Sequence, residues 1–225
     1  PLLFADSDGV ARPTIASYNV YVALAAERKG THMSRLVALL EARGEAQQPA
    51  LSVVNFHQLL DTLVVLLDAP GGRVEIAFPF FVRKSAPVSG VESLLDYEVR
   101  IVGELVDGCY RQTVSVAAPV TSLCPCSKEV AEYGAHNQRS TITITARSPG
   151  PLFLTELIRV AEDEASCELF GILKRADEKY VTERAYDNPR FVEDLVRGVA
   201  VRLEADPRID DFVVEAENFE SIHNH

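Results

Sequence analysis

The chain is expected to fold as an α+β protein made of two related units. Three observations predict this. Segments 14–24, 73–83, 97–106, 110–118, 139–146 and 209–217 are rich in β-formers and partly alternate, as strands do. Segments 33–45, 53–67, 152–170 and 189–204 carry apolar residues at helical spacing. Their order is strand, helix, helix, strand, strand in the first half and strand, strand, helix, helix, strand in the second. That order reads as one unit used twice, although the residues themselves do not repeat visibly.

Each element has its own warrant. TIASYNVYVAL opens the first unit as a strand. Leu36, Val37, Leu39 and Leu40 share a helical face, with Gly44 as the stop. Phe56, Leu59, Leu60, Leu63, Val64 and Leu67 follow i, i+3, i+4, i+7 spacing, and the Ala69-Pro70-Gly71-Gly72 turn ends that helix. Asp107-Gly108 marks a hairpin between two strands. Residues 119–138 read as irregular, and 139–146 alternate as a half-buried strand. Asn188 and Pro189 are expected to cap and open the last helix, which leaves 171–187 as a long helix connection. The units are thus placed at 12–106 and 109–218, with a terminal tail at 219–225.

Composition narrows the class of protein. A chain of 225 residues with 47% hydrophobic and 24% charged residues has the material for a large core, which excludes a disordered or collagen-like architecture. The most apolar run, Leu59 to Leu67, is interrupted by Asp61 and is too short to span a bilayer, and no secretory signal opens the chain. A cytoplasmic location without membrane contact is expected. The net charge of −11 argues against nucleic acid as a partner, so any anionic ligand must meet a locally basic pocket. Four cysteines, Cys109, Cys124, Cys126 and Cys167, are too few for a disulfide scaffold and are expected to be reduced.

The chemistry concentrates in TSLCPCSKEVAEYGAHNQRS, Thr121 to Ser140. Cys124 and His136 lie twelve residues apart, a spacing that lets a loop bring sulfur and nitrogen to one zinc-like ion. C-x-C is not the C-x-x-C of a zinc ribbon, so an open site completed by a carboxylate from elsewhere fits better than a closed structural one. Spacing alone leaves the bland alternative level with this one: two small hydrophobic cysteines in a loop and a hydrogen-bonded surface histidine. Asp177, Glu178 and Glu183 are all available carboxylates, and spacing does not choose among them. Glu193, one turn inside the last helix beside Phe191, Val192 and Leu195, is placed to receive paired N–H donors, or else simply to favour the helix dipole. Lys29, His32, Ser34 and Arg35 gather at a helix start, where they would hold an anion or cap the helix. Glu220, His223 and His225 form a tail able to carry protons near neutral pH if it docks.

Together, KGTHMSR, SGVESLLDYEV, CPCSKEVAEYGAHNQRS and ESIHNH resemble the motifs of GTP cyclohydrolase IB, the second, sequence-distinct type of GTP cyclohydrolase, in the same order along the chain. The resemblance implies a tunnelling fold. In it, paired ββαα units form antiparallel sheet with helices on one face, and subunits associate with active sites at their interfaces; a homotetramer is expected. It also implies conversion of GTP to 7,8-dihydroneopterin triphosphate and formate, through attack at purine C8 by a water that one divalent metal activates, with zinc, manganese and iron as the candidates. That is the entry step to folate and, in some bacteria, to queuosine.

Carried onto this chain, Cys124, His136 and Glu178 match the metal ligands, and Glu193 matches the carboxylate that anchors the guanine edge. Glu220, His223 and His225 match the family's functional end. Cys126 falls to a proton-transfer or metal-proximal role. Lys29, His32, Ser34 and Arg35, with Lys128 and Arg139, are the expected triphosphate partners. The alternatives are a tunnelling-fold enzyme using Cys126 as a nucleophile, disfavoured by His136 in register with Cys124, and a non-catalytic purine-binding relative, disfavoured by the intact ligand set and tail.

Overall fold

The structure, a computed structural model, describes residues 1–24, 26–27, 29–43 and 49–224. The elements in chain order are β1 Leu2–Phe4, β2 Arg12–Thr14, β3 Ser17–Val22, α1 Met33–Arg43, α2 Phe56–Leu67, β4 Gly72–Ser85, β5 Glu92–Val106 and β6 Cys109–Leu123. They continue as α3 Pro125–Val130, β7 Asn137–Ser148, α4 Leu154–Glu164, β8 Cys167–Glu168, α5 Arg175–Asp187, α6 Val192–Glu204 and β9 Asp211–Asn218. One antiparallel sheet runs β3-β4-β5-β6-β7-β9, with β8 beside β6. Among the described residues no helix is long and apolar enough to cross a membrane.

Alternation decides which face carries the helices. Val74, Ile76, Phe78 and Phe80 of β4, Val99 and Ile101 of β5, Val114 and Val116 of β6, and Ile142 and Ile144 of β7 all point to one side and are buried. Against them pack Phe56, Leu59, Leu60 and Leu63 of α2, Leu154, Leu157 and Ile158 of α4, and Leu195, Val199 and Leu203 of α6, in one continuous core. Gly103 is needed there, because a Cβ would sit 2.9 Å from the Phe56 ring. The opposite face is polar. Glu75 is held between Arg73 (2.6 Å) and Arg100 (2.5 Å), and Arg73 also reaches Glu104 (2.7 Å). The Arg100 guanidinium first, and Arg73 with it, keeps the Glu75 carboxyl below its ordinary range.

Several expectations are corrected. The opening strand is two pieces: β2 pairs with β1, outside the main sheet, and β3 forms its edge. The region 119–138 is not all irregular, because β6 continues through Pro119 to Leu123. Pro119 falls between two ladders on that edge. The β5 ladder ends at Glu98↔Ala117 and the β8 ladder begins at Val120↔Glu168, so a residue without an N–H is tolerated there. The helix expected over 152–170 stops at Glu164, and Cys167 lies in β8, not in a helix.

The connection 171–187 holds α5, whose buried face is only Asp177 and Ala185, so no apolar stripe announced it. Asn188 therefore ends α5 and does not open α6, its Nδ2 donating to the Ala165 carbonyl at 2.9 Å. The last helix starts at Val192 and not at Pro189. Gly44, the expected stop of the first helix, lies outside the described residues.

Asp6, buried in the loop after β1, does a capping job at a distance. Phe153 stands at the N-cap of α4 and has no acceptor side chain. The Asp6 carboxylate accepts instead from Leu154 N (2.9 Å), Thr155 N (3.0 Å) and Thr155 Oγ1 (2.6 Å).

Candidate active site

Strand register fixes which side chains share an end of the sheet. Val22↔Gly72, Gly72↔Leu105 and Val106↔Cys109 lie at one end; Ser85↔Glu92, Leu123↔Asn137 and Ser140↔Asn218 lie at the other. Cys124, Cys126, His136 and the tail after β9 therefore meet at the second end. Glu193 joins them, because α6 is approached through Arg190, whose N–H donates to the Leu123 carbonyl at 3.0 Å.

Cys124 and His136 are brought together by backbone geometry. Cys124 is the N-cap of α3, its Sγ accepting from Ser127 N at 3.4 Å, and Pro125 fills the first helical position. Its own N–H donates to the His136 carbonyl at 3.1 Å, and His136 N–H donates to Ser127 Oγ at 3.1 Å. The His136 Nδ1 is engaged by Gln138 Oε1 at 3.1 Å and Ser221 Oγ at 3.2 Å. With Nδ1 occupied, Nε2 is left for a metal, the arrangement typical of ligating histidines. A thiol and an imidazole so placed, with the exposed Cys126 in the next turn, fit a borderline divalent ion by donor chemistry.

The tail docks onto this pair. Phe219 N–H donates to the Arg139 carbonyl at 2.9 Å. Glu220 Oε1 then accepts from Ser221 N (2.8 Å) and Ile222 N (2.9 Å) and lies 3.7 Å from His136 Nδ1. The Ile222 N–H first, then Ser221 N–H and the His136 and His223 imidazoles, hold the Glu220 carboxyl below its usual range against the opposing effect of desolvation. His225 lies outside the described residues.

Glu178 is not joined to Cys124 and His136 within this chain. It is exposed on α5, with Arg175 Nη1 at 3.8 Å. Among the described residues no three His, Cys, Asp or Glu side chains come together to hold a metal. Its neighbour Asp177 is fully buried, and its carboxylate accepts from Val88 N (2.8 Å), Ser89 N (2.8 Å), Ser89 Oγ (2.6 Å) and Lys174 N (2.8 Å). These bonds tie the start of α5 to the β4–β5 hairpin and, despite desolvation, hold the Asp177 carboxyl far below its ordinary value.

A depressed folded-state pKa gives a stabilisation that is complete above the unfolded value near 3.8 and fades as pH falls below it. Asp177→Asn is expected to lower Tm by about 5–10 °C at pH 7 and to lose less at pH 3. Thermal melts at the two pH values check this; equal losses at both would refute it.

The remaining candidates fall in three places. Glu193 lies in the first turn of α6 and is exposed, because 192, 195 and 199 take the inward face. Lys128 Nζ donates to the Tyr186 carbonyl at 2.5 Å and lies 4.2 Å from the centroid of the Tyr186 ring, so it staples α3 to α5. Arg139 is exposed on the face of β7 opposite Gln138. Lys29, His32, Ser34 and Arg35 are exposed at the far end of the sheet, where Arg35 Nη1 donates to the Leu66 carbonyl at 3.3 Å.

Sequence reasoning missed Gln138 and Ser221, which lie within hydrogen-bond distance of the His136 Nδ1. It also missed a cavity of about 450 Å³ between α4, α5 and the end of β4, where Lys84 pairs with Glu162 (2.7 Å) and Glu168, and Tyr97 Oη donates to Glu162. An alternating strand and a sparse helix give no sequence signal for either. Of the two cysteines outside the Cys124 segment, Cys167 is buried, and desolvation pushes its thiol up; Cys109 is exposed.

The family model described as type I GTP cyclohydrolase folE2 matches residues 1–225. The chain is 58% identical over 226 residues to GTP cyclohydrolase FolE2 of Thiobacillus denitrificans, covering all of this chain and 82% of that one. It is 59% identical over 225 residues to the Paraburkholderia phymatum protein of the same name, with the same coverage. Among solved structures, the uricase of Arthrobacter globiformis superposes with a TM-score of 0.50 at 11% identity, over 91% of this chain and 73% of that one, a likeness of fold alone.

Proposed function

Because the chain belongs to the FolE2 family of type I GTP cyclohydrolases, matched over residues 1–225, we propose that its reaction takes place at the end of the sheet where Cys124, His136, Glu193 and the docked tail meet. The enzyme converts GTP and water to 7,8-dihydroneopterin triphosphate and formate, the first step toward folate, on a tunnelling fold. The observation that carries the site is the Cys124–His136 pair, joined by the Cys124 N–H bond to the His136 carbonyl and linked through Ser127, with the His136 Nδ1 already engaged.

Cys124 and His136, together with Glu178, which is not joined to them within this chain, would hold one divalent ion, with zinc, manganese and iron as the candidates. When bound, it supplies a Lewis acid that lowers the pKa of water enough for hydrolytic attack at C8 near neutral pH. The Glu193 carboxylate accepts from N1–H and the 2-amino group of guanine, a bidentate pairing open to an exposed side chain in the first turn of a helix. Glu220, His223 and His225 move protons during ring opening and closure, and Cys126, exposed beside Cys124, takes a supporting proton-transfer role.

Lys29, His32, Ser34 and Arg35 belong to the triphosphate subsite, with Lys128 and Arg139 as local additions. The first four stand at the opposite end of the sheet, so they reach the site from a neighbouring subunit. This supports active sites at subunit interfaces; a cytoplasmic homotetramer and the division into units 12–106 and 109–218 belong to the same reading.

Formate release from GTP, followed beside fluorescent pterin formation, tests the reading. Both are expected to vanish on chelation and to return together with manganese or zinc. No formate under any metal would overturn it and favour the cysteine nucleophile or a binding module.

A further inference from the structure

We infer that Gln138 is a positioning residue that fixes the tautomer of His136, so that the unprotonated Nε2 is the nitrogen presented to the metal. The inference rests on His136 being a metal ligand. Gln138 sits directly opposite Ser122 in the β6–β7 register, and Ser140 lies one inward-facing position further along β7. The three side chains share one face of the sheet and form a chain: Gln138 Nε2 donates to Ser122 Oγ at 2.9 Å, and Ser122 Oγ meets Ser140 Oγ at 2.9 Å. Both serines are fully buried, so neither hydroxyl has water as an alternative partner.

With its amide nitrogen committed to Ser122, Gln138 turns Oε1 toward His136 Nδ1 at 3.1 Å. An amide oxygen only accepts, so Nδ1 must carry the proton. The reversed amide would place its NH2 against Nδ1 and require a lone pair there. Glu220 opposes that arrangement, because its carboxylate, 3.7 Å from the same nitrogen, also favours a proton on Nδ1. The Gln138 acceptor and the nearby Glu220 charge thus select the tautomer that leaves the Nε2 lone pair free, and the Ser221 hydroxyl, at 3.2 Å, can accept from the same Nδ1–H. Nothing in the spacing of Cys124 and His136 specifies which ring nitrogen binds; the β6–β7 side-chain ladder does.

Zinc titration of the full-length protein against a chromophoric competitor tests this. Gln138→Leu keeps the size and removes the acceptor, and is expected to weaken zinc binding about 10–100-fold. Gln138→Glu restores an acceptor at the same place and is expected to bind within about threefold of the parent. Long-range proton–nitrogen correlation of the metal-free protein is expected to show His136 protonated on Nδ1 in the parent and in Gln138→Glu, and a mixture of the two tautomers in Gln138→Leu, where only Glu220 still favours Nδ1. A role in packing alone would leave the tautomer unmoved.

His136→Ala separates the two layers of the argument. If that variant binds zinc like the parent, the metal assignment itself is wrong. If it loses zinc while Gln138→Leu binds normally and keeps the Nδ1 proton, the role of Gln138 is overturned. Should Gln138→Leu fail to fold, Ser122→Ala, which leaves Gln138 present but frees its amide to turn, carries the same comparison: weaker binding supports the inference and unchanged binding with an unchanged tautomer refutes it.

Discussion

Cys124→Ala is expected to abolish metal binding and to lower GTP turnover by at least about 10³-fold, which corresponds to roughly 4 kcal/mol of transition-state stabilisation. The loss has two sources. The sulfur donor disappears, and so does the N-cap acceptor for Ser127 N–H that sets the angle at which α3 leaves β6. Cys109→Ala provides the internal control, since Cys109 begins the same strand that Cys124 follows. A fifteen-residue strand places them roughly 45 Å apart along β6. Cys167→Ala should also keep the metal, because Cys167 is a buried residue of β8 paired with Thr121. Metal analysis of the purified variants decides: equal loss in all three cysteine variants would remove the assignment.

Glu193→Ala should give the complementary phenotype, with full metal content and kcat/KM for GTP reduced about 10³-fold or more. The guanine N1–H and 2-amino donors would enter the site without their bidentate acceptor, and unpaired donors in a desolvated site carry a large penalty. Glu193→Gln keeps one acceptor oxygen and is expected to fall between the two. Since Glu193 projects from the first turn of α6 with no ion pair among the described contacts, its removal leaves the fold intact, and the effect should appear in substrate binding rather than in Tm. Metal loss in Glu193→Ala would move this carboxylate into the coordination shell.

How much of this was legible in the sequence depended on whether burial leaves a periodic trace. The apolar spacing of Phe56, Leu59, Leu60 and Leu63 located α2, and the alternation of Ile142, Ile144 and Ala146 located β7, because each element turns one face to the common core. α5 left no such trace. Its inward residues are an aspartate and an alanine, so a helix that carries Glu178 looked like a charged connection. The motif residues at the Cys124 end were found by their resemblance to a family, whereas Gln138 and Ser221 act by touching His136, and contact across a sheet or from a docked tail has no signature in linear spacing. The placement of Lys29 to Arg35 at the far end of the sheet follows from the β3–β4 register, which no pattern of charges reveals.

The capping of α4 by Asp6 has a consequence for how the chain is made. Asp6 leaves the ribosome before its partners Leu154 and Thr155, which follow 148 and 149 residues later. At about 5–20 residues per second, that interval is roughly 7–30 s, long compared with the microseconds in which a hairpin closes. During it β1 can meet β2, Leu51 and the Phe78 and Phe80 rings of β4, but the Asp6 carboxylate has no helix to cap. The hairpins β4–β5 and β5–β6 can meanwhile form as soon as each second strand emerges, since their pairing is local. The Asp6 contact therefore closes only after Thr155 is made, and a pause before residue 155 would leave that loop without its helix for longer.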